Sequence, residues 1–253
     1  AGGATISSQS RGNNGSNSQF ALFPYYTDDK ITELAHTTGS KTIFHIELDS
    51  KKTVWEPFSV RNEERFEISR NLYKNSYGNK IMFEEENHDL GLKFSYQWNS
   101  SNIYGFVKKC SLINTAKYAQ ILKVIDGIQN IMPYGVSPDL QTKSSNLVDA
   151  YKRSELEKDS GLGIYALSAI IVDKAEPSEA LKANVAWSLG LDNPKYLLSS
   201  KQLDTFRKGQ RVKEETDVKG EKGAYFIESE IGLPGDSEKN WSIVANVNLD
   251  HAQ

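Results

Sequence analysis

Cysteine is almost absent. Cys110 is the single one among 253 residues, so neither an internal disulfide nor a thiolate-rich metal centre can be built. Its place in the strand-like run Phe-Val-Lys-Lys-Cys-Ser-Leu-Ile, 106–113, predicts a buried small hydrophobe rather than a reactive thiol. Histidine is scarce too: His36, His45, His88 and His251 follow no ligand spacing, and neither a metal site nor a cofactor is expected. No apolar run approaches the roughly 18 residues that a membrane-crossing helix requires. The start of the chain has no charged segment leading into an apolar one, so a signal peptide is expected to be absent or already removed. A soluble protein follows, with the cytoplasm favoured over a secreted or periplasmic location. An excess of one charge is also missing: 30 Lys and Arg stand against 33 Asp and Glu, a net −3. With no basic field to draw nucleic acid or an anionic membrane, uncharged partners fit better.

Motifs that carry chemistry are equally thin. Lys219-Gly-Glu-Lys-Gly223 has two glycines but neither the spacing nor the following helix of a phosphate loop, and reads as a turn. Glu84-Glu-Glu-Asn87 reads as a solvated strand end. Glycoside cleavage uses two carboxylates roughly 5–10 Å apart, a relation between strands that sequence spacing does not reveal. His45 alternates with Phe44 and Ile46 in a strand and reads as an exposed or hydrogen-bonded residue; His36, beside Thr37, Thr38 and Gly39, reads as a loop residue. No catalytic residue emerges.

What is present is period-two alternation. Leu90, Leu92, Phe94, Tyr96 and Trp98 share one face of a strand, and Gly91, Lys93, Ser95 and Gln97 share the other. Phe66, Ile68, Arg70 and Leu72 form a similar half-buried set, as do Ala183, Val185, Trp187 and Leu189. Further strands are predicted at 42–48, 53–60, 80–85, 103–113, 119–126, 163–172, 223–231 and 241–249. Turn-rich links such as Asn75-Ser-Tyr-Gly-Asn79 and Leu233-Pro-Gly-Asp236 separate many of them. Two short connecting helices are predicted, one over 145–156 and one over 201–207 capped by Ser199 or Ser200. Residues 1–19, rich in Gly, Ser and Asn, predict a flexible tail, and 20–253 a single all-β antiparallel sandwich.

Trp55, Trp98, Trp187 and Trp241 all fall in strands, where the core is the default for such rings. Asn75, Tyr77, Asn79, Gln129, Asn130 and Tyr134 instead crowd turn-like stretches. Loops carry function disproportionately, and aromatics with amides are what sugars bind, although turn-forming Asn and Gly account for much of the same pattern. The densest stretch is Asp126-Gly-Ile-Gln-Asn-Ile-Met-Pro-Tyr-Gly135, which reads as a strand exit followed by a shaped loop.

Four ordered segments carry a resemblance: 75–83 (Asn-Ser-Tyr-Gly-Asn-Lys-Ile-Met-Phe), 126–136, Asp149-Ala-Tyr-Lys152 and 219–226 (Lys-Gly-Glu-Lys-Gly-Ala-Tyr-Phe). Together they resemble the N-terminal β-supersandwich of cellobiose-phosphorylase-like proteins, whose fold is similar to galactose mutarotase. The resemblance implies a non-catalytic domain that precedes a helical linker and an (α/α)6 barrel, the barrel holding the catalytic acid for glycoside phosphorolysis or hydrolysis. The barrel is absent from this chain and would be its partner within the same polypeptide. Oligosaccharide and a homodimer are compatible further partners. Asn75, Tyr77, Asn79, Gln129, Asn130 and Tyr134 become sugar or interdomain contacts on this reading. A free-standing mutarotase-like epimerase and an independent carbohydrate-binding module remain as alternatives.

Overall fold

The computed structural model describes residues 22–24, 36–48, 51–62, 64–169 and 182–250; the 1–19 tail, the expected strand end at 170–172 and His251 lie outside them. The strands are β1 (Gly39–Leu48), β2 (Lys51–Trp55), β3 (Ile68–Lys74), β4 (Lys80–Asn87), β5 (Leu92–Ser101), β6 (Gly105–Asn114) and β7 (Gln120–Ile131). After two helices, α1 (Pro138–Lys143) and α2 (Ser145–Tyr151), come β8 (Lys152–Glu157), β9 (Leu162–Leu167), β10 (Ala183–Leu189) and β11 (Lys195–Leu197). Helix α3 (Leu203–Arg207) precedes β12 (Asp217–Lys219), β13 (Gly223–Leu233) and β14 (Ser237–Leu249). One sheet has five strands in the order β11-β13-β7-β1-β2, the other nine in the order β12-β8-β9-β10-β14-β6-β5-β4-β3. Every recorded pairing in both is antiparallel, as expected.

The core between the sheets is built from one face of each. Leu92, Phe94, Tyr96 and Trp98 of β5 are buried as their alternation predicts. Phe94 stacks on Trp241 with ring centroids 5.9 Å apart, and Phe44 on Trp55 at 5.3 Å. Offset aromatic pairs of this kind add to the burial of the rings themselves.

Two buried carboxylates tie the sheets together. Asp126 of β7 accepts Thr42 Oγ1 (2.6 Å) and Lys108 Nζ (2.6 Å) at one oxygen, and Trp241 Nε1 (2.8 Å) and Cys110 Sγ (3.3 Å) at the other. Lys108, Cys110 and Trp241 belong to the nine-stranded sheet, so this pair is an internal pin rather than a surface ion pair. Glu85 of β4 does the same near the far edge, accepting Trp55 Nε1 (2.7 Å), Phe58 N (2.6 Å) and Arg70 Nε (2.8 Å). Burying a charge is costly unless it is paired and fully hydrogen-bonded, and both carboxylates meet that condition.

Several local expectations are corrected. The helix predicted over 145–156 stops at Tyr151, because Lys152, Ser154 and Leu156 turn inward with period two and pair with β9. Helix α1 has no counterpart among the predicted elements; the Ser137 hydroxyl caps it by accepting Leu140 N. Neither expected serine caps α3: its N-cap is Gln202, while Ser199 donates to Glu215 and Ser200 to Gln129. The strand predicted over 53–60 ends at Trp55, before Phe58 adopts φ 63°. Strand β3 is an outer edge with Leu72 62% exposed rather than half-buried. In β10 the core face is Asn184 and Ala186, both fully buried, so Trp187 and Leu189 point outward.

Candidate functional site

The outer face of the five-stranded sheet carries its own small core. Ile43, Ile125 and Phe226 face away from the sandwich interior and are covered by Leu203 and Phe206 of α3 together with Val212. Gly127 lies on this face because no side chain fits there: a Cβ would stand 2.1 Å from Tyr225 O and 2.4 Å from the Phe226 ring. Arg207 anchors the covering segment through two bonds to Glu56, Nε at 2.8 Å and a terminal nitrogen at 3.1 Å. Burial pushes the Glu56 carboxyl up, but the bonds and charges of Arg207 and Lys41 outweigh it and hold the group below its ordinary range.

Where that cover ends, a trough of about 690 Å³ opens on the same face. Strand pairing sets its floor in rows. Lys195 of β11 stands opposite Glu228 of β13, and the two make an ion pair at 3.1 Å. Next to it, Glu230, Lys123 and His45 are direct neighbours across β13, β7 and β1. Beyond them lie Ile121, 65% exposed, and the cross-strand pair Glu47 and Lys52. Gly209, Gln210 and Arg211 form the wall on the side of α3. A volume of this size lies within the range of small-molecule sites.

His45 is the most constrained group in the trough. Its Nε2 is 2.6 Å from the Phe206 carbonyl, and its ring meets the Phe206 ring edge-on at 4.7 Å. A carbonyl oxygen only accepts, so Nε2 carries the hydrogen and Nδ1 is left with a lone pair. Burial lowers the imidazole pKa, the bond to Phe206 opposes that, and the charges of Lys123 and Lys52 lower it further. The ring is therefore neutral at pH 7. Gly209, at φ 74°, passes over it: a Cβ there would lie 3.8 Å from His45 Cε1.

The six contact residues expected from the sequence do not converge. Asn75, Tyr77 and Asn79 sit at the exposed β3–β4 turn, where Asn75 Nδ2 donates to Asn79 Oδ1 (2.6 Å) and Tyr77 is 89% exposed. Gln129 and Asn130 are buried in β7, which runs to Ile131 instead of ending near Asp126. Gln129 Nε2 donates to His36 O (2.8 Å), and Asn130 Nδ2 to Thr38 Oγ1 (2.9 Å). Both amides thus hold the neighbouring 36–38 segment in place. Asn130 is the extra residue of a β-bulge, unopposed between the pairs Gly223↔Ile131 and Ala224↔Gln129, and its φ of 60° suits Asn. Tyr134 is half-buried with Lys182 Nζ 5.6 Å from its ring centre.

Of the trough residues, sequence reasoning singles out His45 alone. The signal for the others is side chains two apart on the solvent face of a strand, Lys123 beside Ile121 and Glu228 beside Glu230, but nothing local says that β7 lies between β13 and β1. Of the tryptophans, Trp55, Trp98 and Trp241 are core and Trp187 is not. Cys110 is buried as predicted; burial and the charge of Asp126 push its thiol well above the ordinary range. Among the described residues no group of His, Cys, Asp and Glu is arranged to hold a metal ion, and no helix is long and apolar enough to cross a membrane.

No family model and no curated protein matches the chain. Solved structures similar to it include a putative kojibiose phosphorylase from the human microbiome, with a TM-score of 0.44 and 9% identity over 80% of this chain and 21% of that one. A heparan sulfate lyase from Pedobacter heparinus gives a TM-score of 0.37 and 14% identity over 92% of this chain and 28% of that one. A galactose mutarotase-like protein from Clostridium acetobutylicum gives 0.37 and 11% over 88% and 83%. The chain thus spans less than a third of the phosphorylase and the lyase.

Proposed function

We propose that this chain is a sandwich domain of a larger carbohydrate-active enzyme, without turnover of its own, that supports a catalytic unit and contacts sugar. The observation that carries the reading is the trough: donors and acceptors of both signs are set on a rigid sheet beside a half-buried imidazole. Sugar hydroxyls both donate and accept, and such a surface meets them at either role. The sequence resemblance adds the nature of the catalytic unit, a helical barrel of the same polypeptide performing glycoside phosphorolysis or hydrolysis. Asn75, Tyr77 and Asn79 at their exposed turn, with Tyr134, are proposed to face that barrel or its cleft; a homodimer would be built on the same supporting role. Titration of the chain with gluco- and galacto-configured oligosaccharides, followed by amide NMR, tests the sugar contact. Shifts confined to β1, β7 and β13 around His45 are expected; no shifts with any sugar would overturn the reading.

A second reading, a free-standing epimerase of the mutarotase kind, is favoured by His45 itself, a neutral imidazole in a trough with three carboxylates. Polarimetry on α-glucose and α-galactose distinguishes the two. Turnover lost in His45→Ala would establish the epimerase and displace the accessory role.

A further inference from the structure

The net charge of −3 averages over a surface whose local fields differ, and the trough is where the difference matters. Lys52, Lys123, Lys195 and Arg211 line it against Glu47, Glu228 and Glu230, an excess of cations in a chain with an excess of anions. The carboxylates are not evenly placed. Glu228 lies at the β11 side, engaged with Lys195 at 3.1 Å. Glu230 reaches Lys123 only at 4.0 Å, with both side chains more than half exposed. An exposed pair at that distance gains little and opens readily to a competing anion.

Two of these cations stand beside His45. The two charges that act on its ring are Lys123, its direct cross-strand neighbour on β7, and Lys52 on β2, both positive. Its Nε2 hydrogen is committed to the Phe206 carbonyl, so it is not offered to a ligand in the trough. Lys52, Lys123 and Arg211 line the trough that His45 also lines. That arrangement suits an anion better than a hydroxyl, since ionised partners make the shorter and stronger hydrogen bonds to Lys and Arg.

Resting on the sugar-contact reading above, we propose that the trough selects acidic sugars: a carboxylate or sulfate ester on the ring is held between Lys52, Lys123 and Arg211 beside His45. Glu230, opposite Lys123, and Glu47, opposite Lys52, flank this point and accept from the hydroxyls of the same residue. The selected class is a uronate-containing or sulfated oligosaccharide, with the uncharged part of the chain lying along Ile121.

Calorimetric titration of the chain with matched trisaccharides, one neutral, one carrying a uronate and one carrying a sulfate ester, tests this. At least one acidic sugar is expected to bind about tenfold or more tightly than the neutral one. That preference should shrink as salt rises from about 50 to about 300 mM, an ionic screening effect. Whichever acidic sugar leads identifies the anionic group. Lys123→Ala and Lys52→Ala should each erase most of the preference, whereas Lys239→Ala, which removes a lysine paired with Asp192 and outside the trough, should not. Equal binding of the neutral sugar, or a preference untouched by both trough variants, overturns the acidic selection and leaves the sugar contact standing. Failure of all three sugars to bind overturns both. Lys123 is 55% exposed, so unchanged melting temperatures are expected and binding losses report on the site.

Discussion

Replacing Asp126 by Asn keeps the shape of the inter-sheet pin and removes its charge. Lys108 Nζ, its side chain fully buried, then loses the anion 2.6 Å away and keeps only neutral acceptors, the amide oxygen and Gly127 O at 3.4 Å. Breaking one half of a buried pair costs about 3–5 kcal/mol. Against a typical total of roughly 5–15 kcal/mol the variant is left marginal. Urea unfolding at pH 7 measures the loss. Asp126→Leu with Lys108→Met should cost less than the sum of its single changes. A loss under about 1 kcal/mol would refute the account of the pin, since a broken buried pair ordinarily costs several times as much.

Side-chain placement sets three further outcomes. Trp241→Ala should destabilise by about 3–5 kcal/mol in thermal or urea unfolding, while Trp187→Ala on the outward face should cost under half of that. Cys110 should resist a thiol reagent in the native protein at pH 8 and react at once in denaturant, because burial both shields and protonates it. The Glu56 carboxyl, held below its unfolded value, contributes stability that is complete above that value and lost as pH falls through its depressed one. Glu56→Gln should therefore lower the melting temperature at pH 7 and flatten the acid limb below about pH 4.5, as read by calorimetry.

Strand periodicity is the legible part of this sequence. Leu92, Phe94, Tyr96 and Trp98 mark the core face of β5 outright, because one face of that strand meets water and the other does not. The same reasoning fails at β10, where Ala186 with its fully buried small side chain marks the inner face and the larger Trp187 lies outside; size misleads where fit decides. At Asn130 the fault is chemical, since an Asn that stabilises a bulge inside a strand looks, residue by residue, like an Asn that ends one. The Asp126–Lys108 pin and the trough both depend on which strands become neighbours. His45 and Lys123 are 78 residues apart and meet through the β1–β7 pairing, a relation that no local window contains.

That pairing also shapes the birth of the protein. β7 lies between β1 and β13, so β1 emerges from the ribosome long before the strand it must pair with. At ordinary synthesis rates the interval from Leu48 to Ile131 lasts roughly 4–17 s. During it Ile43, Phe44 and Ile46, all of them buried in the finished fold, have the short hairpin with β2 as the one strand pairing of β1. A nascent chain stalled between these two points is a natural client for chaperones that bind extended apolar segments, and slowing translation there would lengthen its exposure.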